Sequence, residues 1–279
     1  MPDAAEFDVE QVRLGKKLGV VQDRRTFMAA AILQPDEVKV PDRHRIAGGL
    51  RTVPMFANDR LGDCTQASIG HAVVTMERSS SQRELPLTDQ DIIEAYQRVG
   101  GYVPGRPDTD HGAYELDSMN HWRQTGLGRE RDQTTHRIAA FVRVDHTNPA
   151  EVLTAHYVFG GLKVCAGLPL SASDQMRQGL PWDVTTGPRA KWGSWGGHSM
   201  YSPAYDRDLR DRPNSRYRLS GLDGVAVWTW GREQWMTWAW WASYVEETYA
   251  VVSEDYFRKG GRTPQGFNAD RLADMLRRL

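Results

Sequence analysis

Cys64 and His198 are a thiol and an imidazole, the side chains that together make a nucleophile and its general base. The reactive form of a thiol is the thiolate. A helix N-terminus favours that form, because its free N–H groups and dipole stabilise negative charge. The stretch Asn58-Asp59-Arg60-Leu61-Gly62-Asp63-Cys64-Thr65-Gln66-Ala67-Ser68 reads as an ordered loop that delivers Cys64 to such a position. Gly62 permits a tight backbone turn, and Asp63 is of the type that caps a helix. Asp63 also opposes the thiolate, since a neighbouring carboxylate disfavours a second negative charge. His198 closes the run Trp192-Gly193-Ser194-Trp195-Gly196-Gly197-His198. A glycine pair at a strand start implies that something approaches that backbone closely. The structural alternative for Cys64 is a small core residue, the commoner fate of a lone cysteine.

Several elements must position this pair. From Cys64 to about Arg78 apolar residues occupy two faces, Ala67, His71 and Val74 on one and Ile69, Val73 and Met76 on another, which predicts a buried helix. Residues 87–101 read as a second helix, opened by a capping-box pair, Thr88 and Asp91, and closed by Gly100-Gly101. Asp110 is expected to cap a third helix that turns Leu116, Met119 and Trp122 inward. The pattern then changes to strands at 138–145, 162–168, 225–230 and 248–253, with a helix from Asn148-Pro149 to Phe159 between the first two. The loop 171–197 carries Trp182, Trp192 and Trp195 and is expected to line a cleft or to pack as an aromatic loop. Six tryptophans between 228 and 241 read mainly as core.

Taken together these residues resemble the papain-like cysteine peptidases. That family places its histidine about 130 to 150 residues after the cysteine, and here 134 residues separate the two. A family glutamine six residues before the cysteine helps to form the oxyanion hole; Asn58 stands there. Gly196-Gly197-His198-Ser199 resembles the family's Gly-His-Ala, and Trp228-Thr229-Trp230-Gly231 resembles its Asn-Ser-Trp-Gly. The resemblance spans roughly residues 54–252. It implies an α+β fold with a helical half, an antiparallel β half and a cleft between them. It implies catalytic roles for Cys64, His198 and Asn58, and a substrate-binding surface at Gly62, Trp195, Gly196 and Gly197. At the third catalytic position stands Trp228, whose indole only donates hydrogen bonds; Thr229 can accept one if the segment shifts by one residue. The site is thus a Cys-His dyad with an amide, an altered triad, or an inactive relative. The layout is similar, more loosely, to papain-like proteins of bacteria and their phages.

The expected domains are an N-terminal extension (1–53), a papain-like domain (54–260, helical to about 135) and a C-terminal amphipathic helix (261–279) with Leu272, Met275, Leu276 and Leu279 on one side. Within the extension, residues 13–18 are basic, 27–33 read as a short buried helix, 38–51 as extended chain, and the whole as a surface layer. The family's pro-segment motifs are not visible in it. With 35 basic and 36 acidic residues, nothing calls for nucleic acid or an anionic membrane as partner. Two distant cysteines make no disulfide framework, and the acidic, polar first ten residues show no secretory signal, so a cytoplasmic or virion-associated protein is expected. The other histidines have no metal-ligand spacing, and no metal or cofactor is expected. The expected function is hydrolysis of a peptide or isopeptide bond in a peptide or protein substrate. The alternatives are an inactive papain-fold protein with a structural or binding role in an oligomer or assembly, and a cell-wall amidase.

Overall fold

The computed structural model describes residues 9, 12–24, 26–31, 33, 38–46, 50–79, 86–129, 134–207 and 224–253. A short strand, β1 (Arg43–Arg45), precedes three helices, α1 (Cys64–Ser79), α2 (Asp89–Gly100) and α3 (Glu115–Gln124). A small hairpin of β2 (Leu127–Arg129) and β3 (Thr134–His136) leads into β4 (Ile138–Val144), α4 (Pro149–Phe159) and β5 (Leu162–Leu168). Then follow α5 (Leu170–Arg177), β6 (Gly196–Asp206), β7 (Gly224–Thr229), β8 (Arg232–Thr237), α6 (Trp238–Tyr244) and β9 (Val245–Ser253). The fold is α+β.

Local chemistry accounts for the helix ends. In α2 the Thr88 side chain accepts from the Asp91 N–H while Asp91 bonds back to the Thr88 N–H, and Gly101 closes the helix in the left-handed conformation. In α4 the Asn148 side chain accepts from Glu151 N–H, Pro149 fills the first turn, and Gly160 is the left-handed stop. The third helix starts four residues later than the sequence suggests. Its cap is Tyr114, without a side-chain bond, because the Asp110 carboxylate is taken by Gly62 N–H (3.1 Å to each oxygen) and Tyr96 O–H (2.6 Å).

The main sheet is antiparallel, in the order β4-β9-β5-β6-β7-β8, with β1 on the far part of β6. Every residue of β5 is buried, as expected of a strand covered on both faces. One core joins α1, α2 and α3 to the sheet through Phe56, Ile69, Val73, Met119, Trp122 and Trp228. A second gathers Phe159, Val164, Met200, Trp182, Trp240 and Trp241. Of the six tryptophans in 228–241, five are buried, and Trp240 stacks on Trp182 with ring centres 4.9 Å apart.

Among the described residues, α5, β8, α6 and the β2–β3 hairpin went unread in the sequence. The supposed buried helix at 27–33 is a single 3-10 turn, Ala29–Ala31, with Phe27 and Met28 exposed. The C-terminal helix read at 261–279 lies outside the described residues. Among the described residues no helix is long and apolar enough to cross a membrane.

Candidate active site

Cys64 is the first residue of α1 and is 1% exposed. The helix lies on β6, where the Ser68 and Ser199 hydroxyls meet at 2.9 Å. Main-chain N–H groups of Ser199 and Gly15 favour the thiolate. Burial nevertheless pushes the thiol up to about 11, with Asp63 and Glu115 adding to the rise and the two N–H groups opposing it. The expectation of a thiolate is therefore reversed in this arrangement: desolvation outweighs the helix terminus. Asp63 does not cap with its side chain either. Its main-chain carbonyl accepts from Gln66 and Ala67 N–H, while Oδ1 accepts from Asn58 Nδ2 at 3.1 Å and Oδ2 has no partner. Burial raises the Asp63 carboxyl well above the usual range.

His198 lies on β6 with Nε2 2.7 Å from Thr229 Oγ1. The indole of Trp230 stacks on the imidazole, centres 4.2 Å apart and planes 17° off parallel. Nδ1 is buried without a hydrogen-bond partner, so no hydrogen bond joins the imidazole to the sulfur. Burial, with the charges of His71 and Lys163, lowers this histidine to about 3. Of the two candidates for the third position, Thr229 meets the imidazole. Trp228 turns into the core shared with the helices. The geometry comes from the β7–β8 hairpin: Trp230 (φ 44°) and Gly231 (φ 73°) form its two-residue loop. Two consecutive positive φ values are what a type I′ turn requires. Trp is strained in the left-handed region, and here that strain sets the indole over His198.

Asn58, read as an oxyanion donor, is placed differently. Its amide donates to Leu61 O and Asp63 Oδ1, both at 3.1 Å, so both amide hydrogens hold the loop. The turn before it is also strained, with Phe56 (φ 57°) and Ala57 (φ 62°) left-handed.

The largest departure from the sequence reading is at residues 13–18. This stretch is not a surface layer. It threads between the helical side and the sheet, across Cys64. Arg13 N–H donates to Asn58 O (3.3 Å), Ala113 N–H to Gly15 O (2.8 Å), Lys17 N–H to Ala113 O (2.9 Å) and Lys16 N–H to Gly197 O (3.1 Å). Trp230 Nε1 donates to Arg13 O at 3.3 Å. Glycines clear the passage: a Cβ on Gly15 would strike the Gly62 carbonyl, one on Gly112 the Gly15 carbonyl, and one on Gly197 the Lys16 carbonyl. Gly196 lies against the Leu14 side chain, and Trp195 leans on Trp230 (5.4 Å). The four residues read as substrate-binding thus line or back the groove that this stretch fills.

Beneath the groove lies a polar cluster that the sequence reading missed. Lys163 is fully buried on β5, with Nζ 3.0 Å from Glu115 Oε1 and 2.9 Å from Ser199 Oγ, and bonded to Ser68 Oγ. Its signal was a lone cation in the otherwise apolar run 162–168. Lys16 reaches Glu246 and Glu247. Among the described residues no group of three or more His, Cys, Asp or Glu is placed to hold a metal ion.

No protein-family model matches this sequence, and no curated protein matches it. Solved structures do. Xylellain, a cysteine protease from Xylella fastidiosa, superposes with a TM-score of 0.61 at 13% identity, covering 87% of this chain and 96% of that one. ProCathepsin B S9 from Trypanosoma congolense gives 0.56 at 10% identity over 86% of each chain. Digestive procathepsin L 3 of Tenebrio molitor larval midgut gives 0.53 at 12%, over 88% of this chain and 77% of that one. The chain has the papain-like cysteine peptidase fold.

Proposed function

We propose that this papain-fold chain is a thiol hydrolase of peptide or isopeptide bonds, held latent by its own residues 13–18. The observation that carries the reading is the state of His198. Nε2 is engaged by Thr229, and Nδ1, the nitrogen left for proton transfer, is buried without a partner on the strand against which α1 packs through Ser68 and Ser199. Thr229 accepting from Nε2–H selects the tautomer with a basic Nδ1.

With residues 13–18 displaced, water reaches the groove and the desolvation that holds the thiol neutral falls. The Cys64 proton passes to His198 Nδ1 and the thiolate attacks the substrate carbonyl. The free N–H groups of the first turn of α1 stabilise the oxyanion, each such donor being worth about 10² to 10³ in rate. The imidazolium protonates the leaving amine, and water deprotonated by the neutral imidazole hydrolyses the thioester. Asn58 acts here as a positioning residue that holds Asp63 and the loop.

The test is iodoacetamide labelling of the full chain at neutral pH, followed by mass, alongside turnover of a peptide panel, before and after removal of the segment by limited proteolysis. Activation should accelerate labelling at Cys64 beyond that of a free thiol, and Cys64→Ala should abolish turnover. A Cys64 no more reactive than a free thiol after activation would favour the second reading, an inert papain-fold protein. The commitment of both Asn58 amide hydrogens within its own loop is the observation on that side.

A further inference from the structure

The groove that residues 13–18 occupy is read by main-chain bonds on both walls, through Ala113 and Gly197, which any sequence can make. What distinguishes one occupant from another is the side chain after Gly15. That side chain is Lys16, and it is fully enclosed, at 0% exposure. Its Nζ is 2.8 Å from Glu247 Oε1 and 3.0 Å from Gly19 O, and it bonds to Glu246 Oε1. The three N–H donors of an ammonium thus find three acceptors.

The acidic pair belongs to the sheet and not to the segment. Glu247 is buried on β9, and its second oxygen accepts from Tyr249 O–H at 2.8 Å, so that its aim does not depend on Lys16. Glu246 begins the same strand and spends its other oxygen on Gly19 N–H (3.1 Å), an acceptor that is released when the segment leaves. Burial disfavours the Lys16 ammonium, but the two carboxylates beside it hold it charged, above its ordinary range. An enclosed carboxylate left without a cation is costly, whereas the same carboxylate with one is satisfied. The residue before Lys16 passes so close to Gly62, two positions before Cys64, that a Cβ on Gly15 would strike the Gly62 carbonyl, which puts this pocket beside the proposed nucleophile.

We infer that the enclosure lined by Glu246, Glu247 and Tyr249 is a cation-selective side-chain pocket, and that a peptide taken in place of residues 13–18 presents a lysine or arginine to it. The inference deepens the hydrolase reading by naming its substrate class; the pocket's selectivity is measured without using the thiol.

Two measurements on the full chain test it. The first is hydrogen exchange at the amides of Lys16 and Lys17 in the wild type and in Lys16→Arg, Lys16→Met and Glu247→Gln. Lys16→Arg should keep the protection, while Lys16→Met, similar in length but uncharged, should exchange about 100-fold faster, as expected when a buried ion pair loses one partner. Glu247→Gln should behave like Lys16→Met; should it fail to fold, the Arg and Met variants alone decide. The second is binding of fluorescein-labelled Leu-Gly-Xaa-Lys peptides to the full chain carrying Gly15→Val, whose Cβ has no room beside the Gly62 carbonyl and so displaces the segment. Lys and Arg at Xaa should bind at least about 10-fold tighter than Met or Glu. Equal protection in Lys16→Met, or equal affinity for Met and Lys peptides, would overturn the inference. Because neither readout needs a reactive Cys64, an unreactive thiol would remove the hydrolase reading and leave the pocket's selectivity standing or falling on its own.

Discussion

At the scale of single residues, the site turns on how the imidazole is held. Thr229 Oγ1 lies 2.7 Å from His198 Nε2 in a place sealed from water by Trp230. Thr229→Val keeps the shape and removes the only acceptor, leaving a buried N–H unsatisfied. The variant should lose about 1–3 kcal/mol in urea unfolding and most of any peptide turnover, while Thr229→Ser keeps both. Unchanged stability and turnover in the valine variant would show that the hydroxyl neither orients nor satisfies the ring. Much of this was legible in the sequence. Cys64 stood before a buried helix, His198 stood behind a glycine pair, and the donor-only indole of Trp228 pointed to Thr229 as its substitute. What could not be read was the sign of the thiol's shift. Local sequence supplies the helix terminus that favours a thiolate, but the burial that overrides it comes from tertiary packing, which no local pattern records.

At the scale of elements, the helices α1 to α4 and the strands β4, β5, β7 and β9 followed from capping residues and alternation, because those signals are local. The missed elements have no local signal of that kind. β8 and α6 share an aromatic-rich run whose turn depends on a strained Trp230, and α5 starts at Pro169 with no side-chain cap. Residues 13–18 were legible only as basic. Their course is set by vacant space above Gly62, Gly112 and Gly197, on three separate parts of the chain. Gly15→Val should therefore displace this stretch while leaving the sheet intact, since its Cβ has no room beside the Gly62 carbonyl. The expected outcome is faster exchange at the Lys16 and Lys17 amides, faster alkylation of Cys64, and a far-ultraviolet spectrum like that of the wild type. Retained protection in Gly15→Val would show that the segment is not held by this close passage.

At the scale of the whole molecule, buried titratable groups on both sides of the groove link stability to pH. His71 and His198 are lowered by burial to about 4 and about 3, and His156 lies well below its ordinary value. Between the unfolded value near 6.5 and these native values, the unfolded chain binds protons that the native chain refuses. Stability therefore falls as pH drops through that window, by roughly 1.4 kcal/mol per pH unit for each such histidine. Asp63 and Glu247, both raised by burial, act in the opposite direction, because the native chain keeps their protons to higher pH than the unfolded one. Their opposition masks the histidines in the wild type, so the contribution is best isolated at one position. His71 bonds Pro54 O through Nε2 at 2.8 Å and stacks on Phe56, away from the reacting atoms. His71→Gln keeps a donor for that carbonyl and removes the titration. Urea unfolding at pH 6.0 and 5.0 should show the variant losing less stability over that unit than the wild type, by about 1 kcal/mol. Parallel losses would mean that His71 takes up its proton in the native chain, and hence that the interior beneath Cys64 admits charge more readily than its packing indicates.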